Sequence, residues 1–144
     1  MTVSKSNFLG RVAAFLLLSF ATACGNAGDG APAIGPTVLS ISPLTDATDV
    51  PLNSGVSATF SEAMDPASIT PGTFTLTSGP EALPVEGTVT YADSKAVFRP
   101  STRLHPDRTY HAAITTGARS ASGDPLAARR SWQFDTERPG ASCP

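Results

Sequence analysis

Few residues in this 144-residue chain have types and spacings that could do chemistry. Glu62 and Asp65 stand three apart just after Phe60, which suits a carboxylate pair or two oxygen ligands for a hard cation. No Asp-x-Asp-x-Asp-Gly loop accompanies them to supply the remaining oxygens. His105 and His111 are the only imidazoles. A catalytic histidine needs a nucleophile within hydrogen-bond reach and a third group that orients it. Neither has a Gly-x-Ser-x-Gly elbow or a Cys/His constellation in the sequence, and both read as surface histidines. Cys24 and Cys143 are the two thiols, too few for a disulfide scaffold or, with two histidines, a self-contained zinc site. The residues therefore predict no catalytic group, no metal-ligand set and no cofactor.

The elements that must carry these residues begin with an export leader over residues 1–23. Lys5 and Arg11 supply its positive start, and Val12 to Ala23 form an apolar run broken only by Ser19 and Thr22. That run falls short of the roughly 20 residues a bilayer span needs. Ala21, Thr22 and Ala23 directly precede Cys24, and this resembles the bacterial lipobox, whose cysteine becomes the lipid-modified first residue of the mature chain. Ala21 stands where Leu is usual. The resemblance implies anchoring to a membrane through Cys24, with Gly25 rather than Asp next implying the outer membrane. Cleavage at the same Ala-Thr-Ala by ordinary signal peptidase would instead leave Cys24 free to bridge Cys143 in an oxidising envelope.

Formal charge is only −2, and losing Lys5 and Arg11 with the leader takes it to −4. Nothing there offers the clustered basic face that nucleic acid requires, so no nucleic-acid partner is expected. Residues 24–36, which include the Gly/Ala/Pro-rich run GNAGDGAPAIGP, read as a flexible tether. Residues 24–94 hold eight acids and no bases, whereas 95–144 hold eight bases and four acids. In a two-layer fold, early and late strands would lie side by side and complement each other.

From residue 37 to 136 short alternating runs appear, each bounded by Pro, Gly, Asn, Asp or Ser. Leu39 and Ile41 alternate with serines; Val56, Ala58 and Phe60 follow, then Phe74 and Leu76. Val89–Tyr91 and Ala96–Phe98 predict a hairpin across Ala92-Asp93-Ser94. Tyr110, Ala112 and Ile114 mark the sixth run, and Trp132 with Phe134 the last. One face of each is apolar and the other polar, the period-2 pattern of antiparallel strands packed on one side. About seven such strands predict an all-β sandwich, followed by a tail over 137–144.

The run from Ile41 to Gly55, with Val56-Ser-Ala-Thr-Phe-Ser-Glu-Ala-Met-Asp-Pro66 after it, resembles the bacterial Ig-like domain of S-layer and surface proteins. Gly87-Thr-Val-Thr-Tyr91, Phe98-Arg-Pro100, Leu104 to Tyr110, Gly123-Asp-Pro-Leu-Ala127 and Ser131-Trp-Gln-Phe-Asp-Thr136 continue it in order. Ala63 departs from the family's usual proline. The resemblance implies an Ig-like antiparallel β-sandwich with signature residues Phe60, Glu62, Asp65, Phe98, Tyr110, Trp132 and Phe134. Asp65 would then cap local amides in a turn, and Leu104–Tyr110 would form a tyrosine corner. Trp132 and Phe134 would be core anchors. The Phe60-Ser-Glu62 run is also similar to that of periplasmic copper-binding Ig-like proteins, which use a histidine at the mature N-terminus, where this chain has Cys24.

Together these readings predict a non-enzymatic lipoprotein of the cell envelope. Its single Ig-like domain would contact an envelope protein or polysaccharide. The alternative is a periplasmic module binding a ligand or a metal, copper or calcium.

Overall fold

Alternating apolar and polar side chains oblige an extended segment to bury one face and solvate the other. In the computed structural model, which describes residues 35–140, the chain forms nine strands, and the longer ones from β3 onward alternate in this way. The nine are β1 (Val38–Ser42), β2 (Ala47–Val50), β3 (Val56–Phe60), β4 (Phe74–Ser78), β5 (Leu83–Pro84), β6 (Gly87–Ala92), β7 (Lys95–Pro100), β8 (Thr109–Ile114) and β9 (Arg130–Thr136). A short 3-10 turn at Pro66–Ser68 lies between β3 and β4. The leader, Cys24 and Cys143 lie outside the described residues. One sheet has the order β1-β3-β7-β6 and the other β2-β9-β8-β4-β5. The architecture is the all-β sandwich that the alternation implies.

Between the sheets lies one apolar core built from both inner faces. Val56, Ala58 and Phe60 of β3 and Ala96 and Phe98 of β7 meet Phe74 and Leu76 of β4, Tyr110, Ala112 and Ile114 of β8, and Trp132 and Phe134 of β9. Phe74 touches the ring of Phe98 across the sheets, with centroids 6.0 Å apart, and that of Trp132 at 6.1 Å. Tyr110 and Phe134, direct cross-strand partners, stack at 5.7 Å. Such aromatic pairs add about 0.5–1.5 kcal/mol each to the area they bury. No cysteine lies within residues 35–140, so apolar packing and strand hydrogen bonds carry the stability of the sandwich.

The hairpin joining β6 to β7 turns on Asp93 and Ser94, with φ of 49° and 59°. Left-handed backbone at both central positions is what a two-residue type I′ turn requires, and its twist matches that of the strands. Register from Gly87↔Pro100 to Ala92↔Lys95 is unbroken. At Gly87 an added Cβ would lie 2.6 Å from carbons of the Phe98 ring, so only glycine lets β6 pass this close to the core.

Three expectations need correction. Two short strands, β2 and β5, escaped the count of about seven, and β2 pairs with β9 in parallel rather than antiparallel. β1 does not bury Leu39. A register shift between Val38 and Ser40 breaks the alternation, so Val38 and Ile41 pack on the core while Leu39 is 67% exposed. Nor do the acidic and basic halves meet as ion pairs. Among the described residues the one ion pair, Arg138–Asp107 at 3.4 Å, joins two exposed groups of the later half. One early acid instead meets a late strand through a neutral partner: Gln133 Nε2 donates to Asp46 Oδ1 at 2.9 Å.

Phe98→Ala should cost about 3–5 kcal/mol in urea denaturation, because it empties the inter-sheet contact. Glu62→Ala, at an exposed position, should stay within about 0.5 kcal/mol of the parent.

Candidate functional site

Two corners gather the residues whose types suggested chemistry. The first follows β3, where Phe60 is buried and the chain must leave the sheet. Ser61 is held to the start of the domain: its Oγ accepts from the Thr37 amide at 2.9 Å, and its own amide donates to the Thr37 carbonyl at 2.9 Å. Glu62 is exposed and makes no hydrogen bond among the described residues. The Ala63 carbonyl, at the family's proline position, accepts from the Ala121 amide at 2.9 Å. Met64 is buried, and its amide donates to the Tyr91 hydroxyl at 2.7 Å.

Asp65 caps the 3-10 turn. Its Oδ1 accepts from the Ala67 amide at 3.0 Å, and Pro66 occupies the first turn position, where a missing N–H costs nothing. Its amide donates to the Arg119 carbonyl at 2.9 Å, and the Arg119 amide donates to Ser68 Oγ at 2.9 Å. The corner therefore ties the loop over residues 117–126 to β3. Glu62 and Asp65 are not brought together on a shared ligand position. Among the described residues, no three His, Cys, Asp or Glu side chains come together in a way that could hold a metal ion.

The second corner enters β8. Tyr110 is 1% exposed, and its hydroxyl accepts from the His105 amide five residues upstream at 2.8 Å. That is the hydrogen bond of a tyrosine corner. Leu104 is buried beside it, and its amide donates to the Leu52 carbonyl at 2.8 Å. Thr136, at the end of β9, is buried and closes the corner from the other side. Its hydroxyl donates to the His105 carbonyl at 2.6 Å and accepts from the Arg108 amide at 3.1 Å. His105 thus enters the corner through its backbone, while its imidazole is exposed. His111 points away from the core on β8, across from Gln133 of β9 and Thr77 of β4.

Trp132 and Phe134 are 4% and 1% exposed, so neither offers a ring face to a sugar. The indole Nε1 of Trp132 is a buried donor without a partner among the described residues. Sequence reasoning missed two polar roles, those of Tyr91 and Thr136. The available signal was a tyrosine and a threonine at inward positions where Phe or Val would have sufficed for packing.

Two facing sheets in this strand order, closed by a tyrosine corner at β8, define an immunoglobulin-like sandwich. The chain belongs to the bacterial Ig-like domain family, whose model matches residues 32–136. Comparison with curated protein sequences finds no match. Among solved structures, the N-terminal part of the bacterial S-layer protein SbsC is 19% identical with a TM-score of 0.55. That similarity covers 74% of this chain and 24% of that one. CopC from Methylosinus trichosporium OB3b is 10% identical with a TM-score of 0.55, over 72% of this chain and 94% of that one. An L,D-transpeptidase from Mycobacterium smegmatis is 14% identical with a TM-score of 0.51, over 71% and 40%. At these identities the shared property is the fold. The chain spans only a small part of the S-layer protein's length.

Tyr110→Phe should cost about 1–2 kcal/mol in urea denaturation, because the His105 amide loses its acceptor while the ring stays packed. Asp65→Ala should cost about 1 kcal/mol through loss of the cap. Neither change should alter the strand content seen by circular dichroism.

Proposed function

We propose that this is a non-enzymatic lipoprotein of the bacterial cell envelope, held at the membrane through an acylated Cys24. In this reading its Ig-like domain is a structural or interaction module that meets an envelope protein or polysaccharide. One observation carries the proposal: among the described residues, the groups whose types suggest chemistry either serve the scaffold or stand isolated on the surface. The Asp65 carboxylate caps a turn, the Tyr91 and Tyr110 hydroxyls hold backbone amides, and both imidazoles stand apart on exposed positions. What is left for function is surface, meaning sheet faces, sheet edges and loops. The family and its S-layer neighbours support an exported, surface-associated role.

The anchoring half is tested by the intact mass of the chain recovered from the membrane fraction, with and without reductant. The expected species begins at Cys24 and carries acyl mass, and Cys24→Ser should move the protein to the soluble fraction. A soluble, unacylated chain lighter by one disulfide's hydrogens would replace the anchor with a Cys24–Cys143 bridge. The binding half predicts a flat calorimetric titration with copper(II) and with calcium. Stoichiometric heat with either ion would favour the metal-binding alternative.

A further inference from the structure

Each sheet has two edge strands, and an edge exposes unpaired backbone donors and acceptors to any other strand. Three of the four edges here are blunted. β1 is broken by a register shift and runs into Pro43. β2 is four residues long, shifts register between Ala47 and Val50, holds Asp49 at φ 55° and ends against Pro51. β5 is two residues, the second a proline. β6 carries none of these devices. It is six residues long, without proline, charge or bulge, and its register with β7 is unbroken.

The hairpin geometry says which groups of β6 are free. Across a two-residue turn the flanking pair, Ala92 and Lys95, is hydrogen-bonded, so the bonded pairs with β7 recur at Thr90, Thr88 and Glu86. The Ser101 amide, donating to the Glu86 carbonyl at 2.9 Å, continues that phase. The N–H and C=O groups of Gly87, Val89 and Tyr91 therefore point outward, and no strand among the described residues covers them.

We propose that β6 pairs antiparallel with β6 of a second copy of this chain, about a two-fold axis at Val89, joining two four-stranded sheets into one. The edge is complementary to itself in that register. Val89 exchanges hydrogen bonds with Val89 of the second copy, and Gly87 with Tyr91 in both directions. Thr88 and Thr90 then face each other as non-hydrogen-bonded neighbours, the closest side-chain approach in an antiparallel pair and a favourable one for threonines.

Charge follows the same symmetry. Glu86, Thr88, Thr90 and Ala92 are all exposed, alternating with the half-buried Val85, Gly87, Val89 and Tyr91. Glu86 comes opposite Ala92 of the second copy, and the exposed Lys95 lies on β7 in the same row just beyond it. The small alanine leaves the carboxylate a path to that ammonium, twice per dimer. Shifting the register by two residues would leave one threonine pair in place of two and would take Glu86 out of the row that holds Ala92 and Lys95. The inference does not depend on how Cys24 is modified.

The test is sedimentation equilibrium of the full chain in density-matched detergent, from micromolar to millimolar, with amide hydrogen exchange at both ends of that range. The expected result is a reversible dimer in which the Val89 and Tyr91 amides become protected as concentration rises. Thr88→Lys with Thr90→Lys places like charges opposite each other on solvent-facing positions, and should raise the dimer Kd about tenfold or more with the strand content unchanged. Glu86→Lys and Lys95→Glu should each weaken the dimer, and the two together should restore it. A chain that stays monomeric at millimolar concentration would overturn the proposal and leave the edge to a strand of another protein. A dimer indifferent to the lysines, or one whose Val89 and Tyr91 amides exchange independently of concentration, would overturn it as well.

Discussion

Two sheets, each apolar on one face only, can leave water on that face only by covering one another, and among the described residues no covalent link joins them. The contact of Phe74 with Phe98 across the sheets is where that constraint is met, with Trp132 packed behind Phe74. Large rings fit because their neighbours are small. Ala58, Ala96, Ala112 and Ala118 are all within 1% of full burial, and Gly87 brings the β6 backbone onto the Phe98 ring. In antibody domains the position two residues past the corner tyrosine holds a cysteine. Here it is Ala112, which gives its space to the rings around it rather than to a bridge. Interiors packed at crystal-like density tolerate little change in volume, so the aromatic layer sets the spacing of everything attached to it.

The corners follow from that layer. A tyrosine at an inward position brings a hydroxyl into the core, and a buried hydroxyl must find a partner. Tyr110 and Tyr91 find theirs in the backbone amides of His105 and Met64, which lie on the connections the sheets must make. Burial of the ring and tethering of the loop thus become one event, and Thr136 adds a hydroxyl that serves β9 and the corner together. The same logic makes the Asp65 carboxylate the cap of a turn. The fold is that of the bacterial Ig-like domain family, and one fold of this kind hosts many functions.

The edges divide along the same lines. Where the chain changes sheets it needs irregular backbone, and those irregularities blunt β1, β2 and β5. β6 leads into a tight hairpin instead, and the regular register that the hairpin imposes keeps its outer edge straight and open. A feature that stabilises the fold locally therefore also leaves one side of the molecule ready to pair.

Period and punctuation were enough to read the class of fold and most of the core. Phe60, Phe74, Phe98, Tyr110, Trp132 and Phe134 occupy inward positions of alternating runs, and alternation is a local property that any extended chain must express. The hairpin at Asp93-Ser94 was legible for the same reason, since it pairs neighbours in sequence. Other features depended on pairing over distance. β2 is too short to show a period, and it exists because β9, far along the chain, offers it an edge. Leu39 looks inward by alternation, but the register shift against β3 turns it to solvent. The early acids and late bases looked complementary as a count, yet which side chains meet depends on strand order and facing. Residue types and their spacing decided which faces are apolar and which turns are tight, because those follow from each residue and its neighbours. Only the tertiary structure decided which strands lie at the edges and which hydroxyls hold the corners, because those follow from contacts between segments the chain itself keeps far apart.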